Sequence, residues 1–378
     1  MNPFETQNDS LKKELSSYDE FLKADDLRDN FDTGLYDCCR DELSELDEYF
    51  FVKKSGLWGL INDKCQTIMP CVLDCDEIAG IVRPVPVVYN NYDNDYEEDE
   101  EDEEDEEDYF FMIARKNDFW GCVGKNGKEI IPFTFDSIDI HFAIEFYEQK
   151  QMDVYFFVTK DGKIGLWNSS GKELTPAVYN EIIPDDSTSP DDIISSFTVR
   201  LGNKWGILSL DGKVIIPCQF DEIEPYHNLD SETERERPPR FCSCKRGGKW
   251  GSFNEAGDMI IPFDYEEIGL FNYLGIVDVR LNGKAGCINS KNEIIIPIQY
   301  DNVIIDSEGD YIGVELDGKW GIWEVHDGTA IEKLPFILDN LEGEYNDYSQ
   351  QCLYTTLEGE RLEIDGALLD RLEEKIKN

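Results

Sequence analysis

The chain has 378 residues, 40% hydrophobic and 12% aromatic, enough apolar surface to bury a core and to exclude a wholly disordered polymer. Eighty-two acidic residues against 35 basic ones leave a formal charge of −47, which argues against nucleic acid or an anionic membrane as partner and favours a basic protein. Eleven cysteines without a CxxC pair, and three histidines (His141, His227, His326), lack zinc-site spacing and suit a reducing cytoplasm.

The first 22 residues are polar and acidic and contain no apolar signal-peptide core. No stretch of the chain approaches 18 apolar residues, so no membrane span is expected. Leu11, Leu15, Tyr18 and Leu22 recur at helical spacing behind a possible cap, Ser10. Residues 1–48 therefore read as a helical or irregular N-terminal cap.

From residue 49 to residue 340 the sequence repeats. Seven glycines occupy equivalent places: Gly59, Gly121, Gly165, Gly206, Gly251, Gly286 and Gly321. Trp precedes five of them, with Ile164 and Ala285 in the other two copies. A proline lies eleven residues after each of the first six (Pro70, Pro132, Pro176, Pro217, Pro262, Pro297), and Pro335 lies fourteen after the seventh. A second glycine, as at Gly127, Gly171, Gly212 and Gly257, often follows six residues after the first. An aromatic comes three residues after the proline (Phe135, Tyr179, Phe220, Tyr265, Tyr300), then Asp, Asn or Glu, then Ile or Val two further on. In the first copy this block is displaced by two residues and reads Cys75-Asp76-Glu77-Ile78.

Each unit reads as three short strands, and the aromatic–Asp–x–Ile block prolongs the third or makes a short fourth. Asp-Gly pairs such as Asp317-Gly318 signal a hairpin before the Trp-Gly strand. The Trp is expected to anchor one copy on the next, and its Gly to permit a bulge or a close approach of the neighbour's backbone. The Pro, which has no N–H, is expected to end a ladder or mark an edge. The recurrent Asp is expected to accept a hydrogen bond in a turn rather than to bind calcium, since no calcium-loop pattern accompanies it.

The runs Gly248-Lys249-Trp250-Gly251…Ile260-Ile261-Pro262-Phe263-Asp264-Tyr265-Glu266-Glu267-Ile268 and Lys204-Trp205-Gly206…Ile215-Ile216-Pro217…Phe220-Asp221-Glu222-Ile223 resemble the bacterial WG-repeat (KWG-type) family. The resemblance covers residues 50 to 340. It implies an all-β tandem-repeat fold, seven units in a β-propeller-like ring or an open β-solenoid with short helical ends, and it implies no shared activity.

Apart from the two-residue shift in the first copy and the three extra residues before Pro335, length varies at one place in the repeat. Successive glycines are 62, 44, 41, 45, 35 and 35 residues apart, and the extra residues form inserts at 79–108, 139–154, 183–196 and 224–240. The first carries twelve consecutive carboxylates, Glu97 to Asp108, within an acidic loop at about 90–108. Without that run the chain keeps 35 excess negative charges. The last insert ends in a basic spot, Arg237-Pro238-Pro239-Arg240. Inserts at one register of a repeat array emerge on one side, often the binding side. Residues 341–378 read as a C-terminal hairpin and helix cap, with Leu368, Leu369, Leu372 and Ile376 at helical spacing.

No phosphate-binding loop, dinucleotide fingerprint, zinc-protease helix or nucleophile elbow is present, and no carboxylate pair stands out. The expectation is therefore a non-enzymatic scaffold without catalytic, cofactor or metal residues, binding a basic protein partner. An acidic inhibitor or immunity-type protein directed at a basic target is the alternative.

Overall fold

The structure is a computed structural model describing residues 10–23, 49–82, 111–144, 152–185, 196–224, 241–272, 274–306, 310–326, 328–345, 351–357 and 359–377. These residues form eight antiparallel sheets of three or four strands, and helix appears at residues 10–15 and at α1 (Gly366–Lys377). The chain divides into two compact units, Met1–Gly202 with Leu208–Lys213, and Asn203–Ile207 with Val214–Asn378.

In the first unit, sheet one contains β1 (Glu20–Lys23), β2 (Tyr49–Lys54), β3 (Leu57–Asn62) and β4 (Thr67–Leu73). Sheet two contains β5 (Glu77–Val82), β6 (Phe111–Lys116), β7 (Phe119–Gly124) and β8 (Glu129–Phe135). Sheet three contains β9 (Ser137–Ile144), β10 (Met152–Lys160), β11 (Lys163–Asn168) and β12 (Glu173–Tyr179). The division between the units falls in sheet four, whose β13 (Glu181–Pro184) and β14 (Ser196–Leu201) belong to the first unit. Its β15 (Lys204–Ser209) is divided, and its β16 (Val214–Phe220) belongs to the second.

The second unit continues with sheet five, β17 (Glu222–Glu224), β18 (Phe241–Arg246), β19 (Lys249–Asn254) and β20 (Met259–Tyr265). Sheet six contains β21 (Glu267–Ile268), β22 (Ile276–Leu281), β23 (Lys284–Asn289) and β24 (Ile294–Tyr300). Sheet seven contains β25 (Asn302–Ile305), β26 (Tyr311–Leu316), β27 (Lys319–His326) and β28 (Thr329–Leu338). Sheet eight, β29 (Glu342–Tyr345), β30 (Gln351–Leu357) and β31 (Glu360–Glu363), precedes α1.

The aromatic–Asp–x–Ile block does make a strand, but that strand opens the following sheet. β21, for example, pairs with β22 through Glu267↔Arg280 and Ile268↔Val279. Sequence repeat and sheet are thus offset by one strand. The offset accounts for an eighth sheet, since the seventh repeat hands a strand on and sheet one needs a donor of its own. The donor is Tyr18-Asp19-Glu20-Phe21, a copy of the block with no repeat before it. Leu22 therefore lies in β1 and not in a helix. The helical residues Leu11 and Leu15, with Tyr18, pack on Val52 and Ile61 of sheet one.

The repeat glycine and proline belong to one device. In the six sheets whose third and fourth strands have a described register, the Trp position pairs with the residue three after the proline, as in Trp120↔Phe135 and Trp250↔Tyr265. The residue after the glycine pairs with the one before the proline, as in Cys122↔Ile131 and Ser252↔Ile261. Pro-x-x on the fourth strand bulges opposite a single glycine, which places the N–H-less residue where no ladder donor is needed. The proline thus sits in a bulge rather than at a ladder end. In the seventh repeat the three extra residues lengthen the hairpin to His326↔Thr329 and leave the bulge intact.

The backbone that the first glycine approaches is its own sheet's, not the neighbour's. The second glycine meets the neighbour. A β-carbon on Gly171 would stand 3.0 Å from the Ile130 carbonyl oxygen of the preceding sheet, and one on Gly257 would stand 2.6 Å from that of Ile215. Cys65 and Asn292 fill the same place in two other copies, also at positive φ.

The Trp anchors do join sheets. Trp58 shares a core cluster with Ile78, Met112 and Ala114 of sheet two. Trp250 shares one with Ile268, Val277 and Val279 of sheet six. An aromatic side chain buries on the order of 150–250 Å², worth roughly 4–6 kcal/mol at 25 cal/mol/Å². At the C-terminal end Asp365 caps α1, accepting the Leu368 N–H at 2.6 Å. Leu368, Leu369 and Leu372 then cover Leu334, Leu338 and Leu353.

Candidate interaction surface

The two ends of each sheet differ. At one end lies the two-residue turn between the second and third strands. In six sheets it has positive φ at both residues, as at Ser55-Gly56, Asp161-Gly162 and Asp317-Gly318. This is the twist-matched hairpin turn that Asp-Gly signals. The residue after each repeat aromatic clamps the turn of the following sheet. The carboxylates of Asp76, Asp136 and Asp221 accept the N–H groups of Asn117 (2.7 Å), Asp161 (2.7 Å) and Gly247 (2.9 Å). Asn180, Glu266 and Asp301 accept those of Gly202 (2.7 Å), Gly283 (3.0 Å) and Asp317 (2.8 Å). Asp19 does the same for Ser55 of sheet one, and Asn340 accepts the N–H of Thr356, near the end of β30.

The expected turn role of the recurrent Asp is therefore observed. Lysines two residues before the repeat glycine bind the same carboxylates, Lys204 on Asp221 and Lys284 on Asp301. The Lys204 ammonium and the Gly247 amide hold the Asp221 carboxyl below its usual range. The Lys284 ammonium and the Asp317 amide do so for Asp301.

At the opposite end lies the connection between the first and second strands. The four inserts enter there and nowhere else among the repeats, at residues 83–110, 145–151, 185–195 and 225–240. In sheets six and seven the equivalent connections are residues 269–275 and 306–310. The inserts are shorter than the sequence spacing suggests, because their outer residues extend β5, β9, β10 and β13. The carboxylate run, the Arg237–Arg240 spot and His227 lie outside the described residues. Chain reversal fixes which features share an end: the first-to-second connection and the third-to-fourth turn lie together, away from the clamped hairpin.

Cations in the sheets are largely committed. Lys53, Arg115, Lys245 and Arg280 sit opposite Glu20, Glu77, Glu222 and Glu267 in register and form ion pairs at 3.5, 3.3, 2.7 and 3.0 Å. Three of them also cover the indole across the hairpin, Lys53 on Trp58, Arg115 on Trp120 and Lys245 on Trp250. These cross-strand stacks add cation–π attraction to the pairing.

Chemical groups of other kinds are few. Burial pushes the Cys75 thiol up to about 12 and also raises Cys122 and Cys287, so these cysteines behave as small apolar residues. Asp278 in β22 is half-buried, and desolvation lifts its carboxyl to about 6. His326 lies 3.0 Å from Glu324, which Lys333 also contacts at 2.8 Å. Among the described residues no three His, Cys, Asp or Glu side chains converge as metal ligands, and no helix is long and apolar enough to cross a membrane.

The model of the WG containing repeat matches residues 120–163, 199–228, 250–284 and 286–320. The chain is a WG-repeat protein. Each matched segment runs across the offset between repeat and sheet; three begin in the third strand of a sheet and the segment 199–228 begins one strand earlier, in β14. Among curated proteins no relative matches the sequence of this WG-repeat protein. Solved structures with some likeness include BBS1N in complex with ARL6DN, at 12% identity and a TM-score of 0.26 over 68% of this chain and 87% of that one. A eukaryotic initiation factor gives 10% and 0.29 over 76% and 75%, and the Mitotic Checkpoint Complex 7% and 0.28 over 67% and 82%. These scores are too low to assign this chain the fold of any of them.

Proposed function

We propose that this WG-repeat protein is a non-enzymatic interaction scaffold that uses its first-to-second connections to select a basic protein partner. The observation that supports this reading is where length varies. A two-residue hairpin whose amide is clamped by the preceding repeat cannot lengthen without losing that bond. The unclamped connection at the other end of the sheet is free to grow, and long loops on a rigid scaffold are where binding specificity concentrates. The acidity adds attraction, since many cations of the sheets are already paired within them. The same charge supports a narrower reading, an acidic inhibitor that competes with nucleic acid for a basic target.

The test shortens each of the four inserts to the length of residues 306–310 and measures the affinity and on-rate of the co-purifying partner at low and high salt. Loss of affinity in at least one shortened variant, with faster association at low salt, supports the scaffold. Equal binding by all four rejects it. Competition between the chain and nucleic acid for the captured partner favours the inhibitor.

A further inference from the structure

Three positions before the repeat proline, the fourth strand carries Thr67, Glu129 and Glu173 in the first three repeats. In the next three it carries Val214, Met259 and Ile294, which are 59%, 56% and 62% exposed. All six positions are exposed, so the fold accepts a polar residue here and packing does not account for the change. Val214, Met259 and Ile294 all lie in the second unit, each at the start of an outermost strand, β16, β20 or β24.

The three strands are consecutive neighbours. Ile216 and Phe220 share a cluster with Cys242 and Cys244 of sheet five, and Ile261 and Tyr265 share one with Val277 and Ile288 of sheet six. Gly257, two residues before Met259, rests on the carbonyl of Ile215, next to Val214. The Tyr265 hydroxyl donates to Asn292, two residues before Ile294, at 2.8 Å. Sheets packed face to face stand about 10 Å apart, so the three side chains form a row with about that step. Exposed Asp211, Glu255, Asp258, Asp264 and Glu293 flank the row, against two exposed cations, Lys291 and Lys213, the latter paired with Asp211 at 2.5 Å.

We propose that this row docks a basic amphipathic α-helix of a protein partner; it lies at the same end of the sheets as the inserts but on the fourth strands rather than on the connections. A helix advances about 10.5 Å in seven residues, so apolar side chains at i, i+7 and i+14 meet the three positions in turn. Lys and Arg on either side of that stripe meet the acidic flanks. An added strand fits less well, because the Pro-x-x bulge interrupts each edge. A polyproline segment calls for an aromatic-lined groove, and this row is aliphatic. A second copy of a chain with charge −47 would be repelled.

The probe is a synthetic helical peptide with leucines at seven-residue intervals flanked by lysines, compared with a scrambled peptide of the same composition. Binding is measured by calorimetry on the full chain and on a triple variant, Val214→Thr, Met259→Glu and Ile294→Glu, residues the protein itself uses at this position. The wild type should prefer the patterned peptide, and the variant should lose at least about tenfold in affinity. The added carboxylates make this loss diagnostic, since charge attraction alone predicts tighter binding. Methyl chemical shifts of Val214, Met259 and Ile294 in the wild type should move on titration, a readout that does not depend on the variant folding. Equal affinity for the two peptides, undiminished binding by a folded variant, or unmoved methyl signals would overturn the proposal.

Discussion

Gly206 lies so close to Ile216 that a β-carbon on it would stand 2.5 Å from the Ile216 carbonyl oxygen. The same contact, between the repeat glycine and the carbonyl before the proline, occurs in all seven repeats. Gly251→Ala should therefore cost about 1–3 kcal/mol or more, because the obstruction is backbone. Gly318→Asn is the control: nothing lies within 4 Å of a β-carbon there, and Asn tolerates the positive φ. Calorimetric melting of both variants checks the prediction, and equal midpoints would contradict it.

The clamp on the hairpin predicts an order of stabilities. Asp221→Asn keeps an acceptor for the Gly247 amide and loses only the charge toward Lys204, whereas Asp221→Ala loses both. The Ala variant should melt below the Asn variant, and the Asn variant at or just below wild type. The folded-state carboxyls of Asp221, Glu266 and Asp301 are lowered, so their contribution is present above about pH 4 and is lost as pH falls through the folded values. Melting in acid should show a smaller wild-type advantage over Asp221→Ala than at neutral pH.

Much of this architecture is legible in the residues. The Trp-Gly, Pro and aromatic spacing encodes the bulge pairing, and the turn role of the recurrent Asp follows from its chemistry. Which sheet the Asp-x-Ile strand joins is a question of non-local pairing, and spacing alone does not answer it. Tyr18-Asp19-Glu20-Phe21 was obscured because Leu11, Leu15, Tyr18 and Leu22 also fit a helical stripe. The common register of the inserts shows in the glycine intervals. The row of Val214, Met259 and Ile294 does not, since each opens an apolar run before a proline in which buried and exposed residues look alike.

The indoles are not equivalent. Trp58 and Trp250 are buried and Trp205 is half-buried. Trp58→Ala and Trp250→Ala should each cost about 3–5 kcal/mol, and Trp205→Ala less. Denaturant unfolding of the three variants tests the ranking.

Asp278 predicts a pH effect of opposite sign to the clamps. Glu267 on β21, Cys287 across on β23, Glu224 of sheet five and Arg280 on its own strand surround it electrostatically. Burial raises its folded-state value to about 6, so the neutral form is the one the fold favours. Its contribution is fully present below the unfolded value, near 4, and is lost as pH rises through about 6. Asp278→Asn should therefore stabilise the second unit by about 1–3 kcal/mol above pH 7 and change little near pH 4. A midpoint that is unmoved at both pH values would exclude this account.

The offset between repeat and sheet bears on how the chain grows from the ribosome. Every repeat, once made, leaves behind a strand that has no sheet until the next repeat emerges. Any array that stopped after a whole repeat would therefore expose an unpaired strand. Here the last such strand, β29, is taken up by β30 and β31, and α1 closes over the core behind them. The C-terminal segment thus supplies the sheet that the seventh repeat's outgoing strand requires.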